Sequence, residues 1–399
     1  MTGHRANAGL AIAVCILIAA LEGYDIQAFG VAAPRLATEF RLGPGSVGWV
    51  AAAAMVGLII GAVVGGWLAD RVGRKPVLLA SVVGFGAGSI WTALSPHLDV
   101  LLAARLAAGL GFGGAMPNLV AIAAEISRPE RRGVTTCAIF CGMPAGGASV
   151  ALLVSLLAGH GDWRMIFLVG GAAPLAIAPL VHVLLPETRP GPGDASRDRS
   201  SSVLFASGRA APTVLLWTAS LLTLVILYLM LNWLPSLVVA KGHPASDGAN
   251  ASLAFNLMAV FGALALGLAV DRSGYRWPLF AAFVGLALVM VGLSRVGAMG
   301  SILLLAAAAG FLVVGASFAL YGLAPILYPP QVRALGAGAA IAVGRLGSVI
   351  GPILGGQLRQ AGWPPGSVLL AMTPVALLAG LAVVVLTVLV PDLRRRPMI

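Results

Sequence analysis

Long apolar runs recur along the chain, separated by short segments that carry most of its charged residues. A helix rises about 1.5 Å per residue, so about 20 apolar residues are needed to cross the roughly 30 Å hydrocarbon core of a bilayer. Twelve runs have about that length, and each predicts one transmembrane helix. They cover residues 9–31, 46–69, 77–95, 99–126, 133–158, 163–185, 212–239, 249–270, 277–295, 300–327, 332–359 and 366–390.

The composition indicates an integral membrane protein. Hydrophobic residues make up 59% of the 399 positions and charged residues 10%, with a mean hydropathy of +0.98, whereas soluble domains average about 25% charged residues. The first apolar run is too long for the core of a cleaved signal peptide and contains acids. Cys15, Cys137 and Cys141 all fall within apolar runs, which argues against a disulfide framework or a zinc site.

The net charge of +11 follows the predicted topology. With the N-terminus inside, 17 of the 25 Lys and Arg residues fall in cytoplasmic segments and 6 in external ones, while Arg105 and Arg345 lie within spans. This positive-inside bias places both termini in the cytoplasm. We therefore expect a multi-pass protein of a bacterial-type plasma (inner) membrane, and no nucleic-acid partner.

Motifs of the first half return in the second half at a constant offset of 201 residues. "GGWLADRVGRK" (65–75) follows the second span, and "GLAVDRSGYR" (267–276) follows the eighth. The offset links Asp70 to Asp271, Arg71 to Arg272, Gly73 to Gly274, Pro34 to Pro235 and Arg132 to Arg333. This repeat predicts an all-α membrane protein with two pseudo-symmetric six-helix halves, residues 1–185 and 212–399. Residues 186–211, rich in Pro, Gly, Ser and charge, are predicted to be a cytoplasmic linker. Duplicated halves with a substrate site between them are typical of alternating-access transporters.

Several motifs resemble those of a known family. "GxLADRxGRK" after the second span resembles the signature loop of the major facilitator superfamily, and "RLAAGLGFGG" (105–114) resembles its fourth-span motif. "LEGYDIQAFGVAAP", "GLGFGGAMPNLVAIAAE", "YLMLNWLPSLV" and "YGLAPILYPPQVRALGAGAAIAVGRLGSVIGPILGG" are similar to the aromatic acid:proton symporters, most of all to the 3-(3-hydroxyphenyl)propionate transporters. The resemblance covers nearly the whole chain and implies the major facilitator fold and proton-coupled uptake of an aromatic carboxylic acid.

Two acids stand inside the first span, and a basic residue stands inside the fourth. An ionised side chain at mid-membrane costs roughly 2.5–3.5 kcal/mol, so such groups persist when they pair, face water or serve a mechanism. Glu22 and Asp25 share one helix face. Asp25 lies roughly 24 Å above the inner end of its span, and Arg105 lies at roughly 21 Å in an antiparallel span. We therefore expect an Asp25–Arg105 pair with Glu22 one turn deeper.

Proton coupling is the chemistry that these acids favour. An acid whose Arg partner moves as the cavity switches sides binds a proton on one side and releases it on the other. The resemblance supports this assignment, because its first-span pattern is acid-Gly-aromatic-Asp. Here Glu22 stands where many members have Asp, so Glu22 and Asp25 are assigned jointly. The alternative is a static ion pair that fixes helix packing.

Arg345 near the middle of the eleventh span suits an anionic substrate. Arg can hold a carboxylate through two hydrogen bonds, and the second half offers no acid at the same depth. The alternative is a pair with Glu22 or Asp25. The glycines at 344, 347, 351 and 355 favour close helix packing beside Arg345. Further candidates for hydrogen bonds to a ring acid, each of which can equally be structural, are Tyr228, Asn232, Gln27, Asn118 and Tyr321. Asn232 is favoured among them, because Pro235 is expected to break the helix nearby, and polar groups gather where backbone bonds are lost.

Charged residues at the cytoplasmic ends of the spans are candidates for inner-gate ion pairs. Two acids, Asp70 and Asp271, recur at one register beside helix ends, which the positive-inside rule does not explain. The alternative for the basic residues is a solvated loop. The gating set is Asp70, Arg71, Arg74, Glu125, Asp271, Arg272 and Arg333, with Glu125 expected beside Arg128, Arg131 and Arg132.

Three functions compete. The first is proton-coupled uptake of an aromatic carboxylate; the second is proton-driven efflux of drugs. The "GxxxGPxxGG" motif typical of such exporters is absent from the fifth span, which reads "FCGMPAGGAS", and this favours the importer. The third, a receptor, lacks a loop long enough for a signalling domain. No catalytic motif or ATPase domain is evident, so we expect a monomeric non-enzyme without cofactors, driven by a gradient of protons or, as the alternative, of sodium.

Overall fold

The protein is almost entirely helical. A computed structural model describes residues 2–127, 132–156, 162–187, 204–205, 208–328, 333–390 and 393, and within these ranges no β-strand occurs. The helices are α1 (Thr2–Glu39), α2 (Pro44–Val72), α3 (Arg74–Ala93), α4 (Leu98–Ile126), α5 (Arg132–Leu156), α6 (Trp163–Leu184), α7 (Ala210–Ala240), α8 (Ala245–Ser273), α9 (Arg276–Arg295), α10 (Met299–Leu327), α11 (Arg333–Gln360), α12 (Pro365–Leu370) and α13 (Met372–Leu389).

Twelve spans of membrane length are present in the described ranges, which confirms the all-α membrane fold expected from the hydropathy pattern. The span predicted over 366–390 is confirmed as Pro365–Leu389. It consists of α12 and α13, with a break at Ala371. Pro374 has no N–H to donate to the carbonyl of Leu370, and it disfavours helical geometry at Thr373. The helix therefore restarts at this point.

Prolines inside the spans do not end their helices. The first span is predicted to end at residue 31, but α1 continues through Pro34 to Glu39. Pro235 was expected to break the seventh span, yet α7 continues to Ala240. Gly248 of α8 packs directly on the backbone of Pro235. Membrane helices tolerate proline because neighbouring helices support the backbone where a bond is lost.

The chain divides into two compact units, Met1–Ala195 and Ser196–Ile399. The boundary lies in the segment expected to be a linker, where residues 188–203 and 206–207 are outside the described ranges. Helix bounds repeat between the units at the offset seen in the sequence. Both α2 and α8 have 29 residues, as do α4 and α10, and in each pair the first residues are 201 positions apart.

The helix ends repeat as well. α1 ends at Glu39 and α7 at Ala240. Two residues after each end, the backbone turns with a positive φ, which is 53° at Arg41 and 98° at Gly242. The two units therefore share their turn geometry, although only the second has a glycine at this position.

Close helix pairs of the first unit depend on residues without side chains. A Cβ at Gly146 of α5 would overlap the backbone of Ala20 in α1, and one at Gly61 of α2 would overlap Leu110 in α4. α3 and α6 meet at Gly86 and Gly171. In a bilayer, such small residues let helix backbones approach closely, and van der Waals packing replaces the hydrophobic effect.

The glycine stripe of α11 packs against α7 in the second unit, as the sequence predicts. Gly347 and Gly351 lie against the backbone of α7 at Leu221 and Val225, respectively. Gly355 lies under the ring of Trp233, whose indole Nε1 donates to the carbonyl of Pro352 at 2.9 Å. A single bulky residue in this stripe would separate the two helices.

Candidate functional site

The expected pair between Asp25 and Arg105 is present in the first unit. Nη1 of Arg105 in α4 donates to Oδ2 of Asp25 in α1 at 3.0 Å, and the side chains are 1% and 0% exposed. α1 contacts α4, α5 and α6 along its length, which removes this region from solvent. Two opposite charges attract each other much more strongly when they are buried than at a surface. Removing one partner of a buried pair leaves an uncompensated charge.

Ser89 completes the surroundings of the carboxylate. Its Oγ donates to Oδ1 of Asp25 at 2.5 Å and lies 3.1 Å from the carbonyl oxygen of Phe167. Ser89 is on α3, Phe167 on α6, and neither was singled out from the sequence. The sequence carried no distinguishing signal, because helical Ser and Thr commonly bond within their own helix, as Thr92 of α3 does to Gly88.

Aromatic rings line the guanidinium of Arg105. Its central carbon lies 5.7 Å from the ring centre of Phe29 and 5.4 Å from that of Phe167, within the range of cation–π attraction. Tyr24 packs on Gly170 of α6, and its hydroxyl donates to the carbonyl of Ile166 at 3.1 Å. The ion pair therefore lies in a buried pocket with aromatic rings, formed by α1, α3, α4 and α6.

Glu22 and Gln27 lie on the same helix as Asp25 and are also buried, with 0% and 2% exposure. Glu22 is one turn below Asp25, the position expected from its spacing. The first unit thus buries two carboxyl groups of one helix, and that of Asp25 is paired with a guanidinium.

Arg345 of α11 meets an aromatic cluster in the second unit. Its Nη1 donates to the hydroxyl of Tyr228 in α7 at 2.9 Å. Tyr321 of α10 is within electrostatic reach of both residues and stacks on Phe318, with ring centres 6.3 Å apart. Tyr228 is 4% exposed and Arg345 is partly buried. A guanidinium flanked by phenol groups can bind a carboxylate and orient a ring beside it.

Asn118 and Asn232 are buried but bond within their own helices. The amide nitrogen of Asn118 donates to the carbonyl of Gly114, and that of Asn232 donates to the carbonyl of Tyr228, both at 2.8 Å. Asn232 was favoured for substrate binding because a helix break was expected near it. Since α7 is continuous there, that reason no longer applies, and their substrate roles remain predictions.

The gating candidates are only partly brought together. Arg74 of α3 pairs with Glu125 of α4. Arg71 lies 3.7 Å over the ring of Trp67. Three of the remaining members are exposed at helix ends, and the side chain of the fourth is not among the described ones. Asp70, Asp271 and Arg272 are exposed, while the side chain of Arg333 lies outside the described residues, as do Arg128, Arg131 and the side chain of Arg132.

No cluster of three or more His, Cys, Asp or Glu residues occurs in the part of the chain that the structure describes.

Residues 15–326, more than half of the chain, match the family model described as Major Facilitator Superfamily. The chain belongs to the Major Facilitator Superfamily. The family expected from the loop after the second span is thereby confirmed, and the protein is a multi-pass membrane protein of a transporter family.

Relatives within this superfamily match over nearly their whole length. The chain is 38% identical to the 3-(3-hydroxy-phenyl)propionate transporter of Escherichia coli, over 94% of this chain and 93% of the relative. It is 33% identical to a 4-hydroxybenzoate transporter of Pseudomonas aeruginosa, over 93% and 91%. It is 32% identical to a gallate transporter of Pseudomonas putida, over 88% and 86%. The family resemblance drawn from the sequence agrees with these relatives.

Solved structures share the fold. A bacterial homologue of the human lysosomal transporter Spinster aligns with a TM-score of 0.79 at 16% identity, over 98% of this chain and 99% of that chain. A D-xylose–proton symporter aligns with a TM-score of 0.75 at 18% identity, over 92% and 96%. At such identities the likeness concerns the fold alone, which is that of the major facilitators.

Proposed function

We propose that the protein is a secondary active transporter that takes up an aromatic carboxylic acid together with protons, by alternating access. The observation that carries this proposal is the buried Asp25–Arg105 pair with Glu22 one turn away. Ionised carboxyl groups buried inside a membrane protein are energetically costly, so they persist when they pair or serve a mechanism. A carboxyl group can bind and release a proton directly, so the proposed coupling ion is the proton. The proton gradient supplies the energy, and no cofactor is proposed.

The substrate class rests on the relatives and on Arg345. Relatives covering most of the chain carry names that specify hydroxyphenylpropionate, hydroxybenzoate and gallate transport. All three are aromatic rings with a carboxylate and at least one hydroxyl group. Arg345 with Tyr228 and Tyr321 supplies a cation and aromatic surfaces of matching chemistry. We assign the carboxylate of the substrate to Arg345 and its ring to the tyrosines.

The remaining assignments complete the proposal. The protein acts as a monomer in a bacterial-type inner membrane, with both termini in the cytoplasm. The pair between Arg74 and Glu125 belongs to an inner gate with the charged residues at neighbouring helix ends. Charge-paired residues at a gate hold one conformation closed and release it when their partners change.

The test is uptake into proteoliposomes of labelled 3-(3-hydroxyphenyl)propionate and labelled 4-hydroxybenzoate under an imposed pH gradient. Wild type should accumulate at least one acid, and a protonophore should abolish the accumulation. Asp25→Asn should bind the acid but lose accumulation. Glu39→Gln is the matched control, because it removes a carboxylate of the same helix that pairs at the surface with Arg164.

Two outcomes would overturn the proposal, and a third would reassign the proton carrier. Accumulation that follows a sodium gradient and ignores the pH gradient would replace the coupling ion. Expulsion of a cationic dye, with neither acid taken up, would make the protein a drug antiporter instead. Wild-type activity in Asp25→Asn would leave Glu22 as the proton carrier and make Asp25 a fixed structural charge.

A further inference from the structure

The hydroxyl group of Ser89 has one hydrogen and two acceptors within reach. Oδ1 of Asp25 is 2.5 Å away and the carbonyl oxygen of Phe167 is 3.1 Å away. A hydroxyl can donate to one acceptor at a time while accepting from another donor. Ser89 is 0% exposed, so bulk solvent does not reach its hydroxyl group.

The two oxygens of Asp25 have different neighbours. Oδ2 accepts from Arg105, and a guanidinium has donors only, so it cannot accept a hydrogen bond from a protonated Oδ2. Oδ1 faces Ser89, whose oxygen can accept. A proton that reaches Asp25 therefore finds a hydrogen-bond acceptor on Oδ1 and none on the side of Arg105.

We propose that Ser89 is a positioning residue whose hydroxyl reverses its hydrogen bond when Asp25 takes up a proton at Oδ1. With Asp25 ionised, Ser89 donates to Oδ1. With Asp25 protonated, the new O–H donates to the oxygen of Ser89, whose own hydrogen turns to the carbonyl of Phe167. One proton arrives on Oδ1, and the covalent O–H bond of Ser89 stays intact while its hydrogen bond changes acceptor. The inference rests on the proposed function, in which the acids of α1 exchange protons.

The packing around Ser89 keeps both acceptors in place. Gly88 lies against Ala108 of α4, and Gly86 meets Gly171 of α6, which fixes α3 between these helices. A Cβ at Gly170 would lie 3.4 Å from the oxygen of Ser89. The carbonyl of Phe167 is part of α6 and is held by the helix itself. The hydroxyl can therefore rotate while the heavy atoms stay fixed.

Other titratable groups near Asp25 are few. Arg105 faces it from α4, while Glu22 and Tyr24 neighbour it on α1. The thiols of α5 lie lower along α1, because Gly142, next to Cys141, packs at Ile16 and Ala19. The remaining charged or titratable residues on the other packed helices lie near helix ends: Asp70 and Arg71 on α2, Arg74 and Lys75 on α3, Asp99 and Glu125 on α4, and Arg164 and His182 on α6.

The test is an infrared pH titration of the purified protein in lipid nanodiscs. The signal is the C=O stretching band of a protonated carboxyl group that disappears in Asp25→Asn. Ser89→Ala should move the midpoint of this band by about one pH unit to the alkaline side, because a hydrogen bond to the ionised form is the stronger one and is lost. The band itself should move to a higher wavenumber, since the protonated carboxyl group loses its acceptor.

Two further variants complete the design. Ser89→Cys fills similar space with a weaker donor, and should shift the midpoint in the same direction by less. Ser95→Ala is the control, because this buried hydroxyl group lies two residues after the end of α3 and donates to the carbonyl of Trp91 at 2.9 Å. It should leave both the midpoint and the wavenumber unchanged.

The inference is overturned if Ser89→Ala and Ser89→Cys lower thermal stability but leave the midpoint and the band position as in wild type. It is also overturned if no carboxyl band is lost in Asp25→Asn, because Asp25 then never holds the proton. The titration needs no substrate. A failure of aromatic-acid uptake with an intact Ser89 effect therefore contradicts the proposed function alone.

Discussion

Oδ2 of Asp25 lies 3.0 Å from Nη1 of Arg105, and both side chains are buried within the first unit. Asp25→Asn leaves the charge of Arg105 without its partner, as Arg105→Gln does for Asp25. Each should lower the free energy of unfolding by about 3–5 kcal/mol, because a lone buried charge is left behind. The double variant should lose less than the sum of the two. Thermal unfolding in detergent measures all three.

A matched surface pair gives the control for this cycle. Arg164 and Glu39 are 2.7 Å apart, but their side chains are 32% and 42% exposed. Solvent screens such a pair, so Glu39→Gln should cost less than about 1 kcal/mol. Additive losses in the Asp25 and Arg105 double variant would contradict a direct interaction between them.

The α7–α11 packing predicts opposite effects for two glycines on one helix. A Cβ at Gly347 would overlap the backbone of Leu221 and Val225, whereas one at Gly338 would meet nothing within 4 Å. Gly347→Ala should destabilise the protein by roughly 1–3 kcal/mol. Gly338→Ala should stabilise it by roughly 0.5–1 kcal/mol, because alanine favours the helix. The melting temperatures of the two purified variants test this prediction. A change of the same sign in both variants would contradict the packing.

The turn after α1 carries an arginine at a left-handed position. Arg41 has a φ of 53°, and its counterpart after α7 is Gly242, with a φ of 98°. The left-handed conformation costs a residue with a Cβ roughly 1–2 kcal/mol, and glycine avoids this cost. Glycine also makes the unfolded chain more flexible, which offsets part of the gain in stability. Arg41→Gly should therefore raise the free energy of unfolding by about 0.5 kcal/mol.

Gly242→Ala tests the counterpart turn after α7 in the opposite direction. It should cost about 1 kcal/mol, although nothing lies within 4 Å of an added Cβ there. Gly297→Ala, also in open space but without a positive φ, is the comparison. Equal losses at 242 and 297 would mean that backbone conformation is not the cause.

Tyr228 positions Arg345 through the hydrogen bond between their side chains. Under the proposed function, Tyr228→Phe should raise the Kd for the aromatic acid about fivefold, equivalent to the loss of roughly 1 kcal/mol of hydrogen bonding. Arg345→Lys should raise it more, because an ammonium group lacks the planar fork that holds a carboxylate through two bonds. Scintillation-proximity binding measures both, with Tyr275→Phe as a control that removes a phenol outside the spans.

Tyr275, between α8 and α9, should make the stability of the folded protein depend on pH in the alkaline range. Burial, with the nearby charge of Asp271, raises the pKa of its phenol from 10.0 to about 12. Between these values the unfolded chain releases the proton while the folded chain keeps it, so stability falls as the pH rises through this window. The loss is on the order of 2 kcal/mol. Denaturation at about pH 9 and about pH 12 should show a smaller decline for Tyr275→Phe than for wild type.

Much of the fold follows from patterns that the sequence states directly. Twelve apolar runs predict twelve spans because the bilayer sets one length for all of them. The contact between Asp25 and Arg105 follows from their heights in antiparallel spans. Ser89 could not be found in this way, because its partners depend on which helices are neighbours and on how each is rotated. The helix break expected at Pro235 is absent, because neighbouring helices can preserve a helix through one proline, whereas Pro374 accompanies a break at Ala371.

The packing of Trp233 gives the second unit an optical reporter of its own. The buried indole lies on Gly355 and donates to the carbonyl of Pro352, so its emission depends on the register between α7 and α11. A shift of one helix along the other by a single turn would remove the hydrogen bond and expose the ring to a different dielectric. A variant that keeps Trp233 as its sole tryptophan would convert that helix movement into a change of fluorescence colour, without any attached dye.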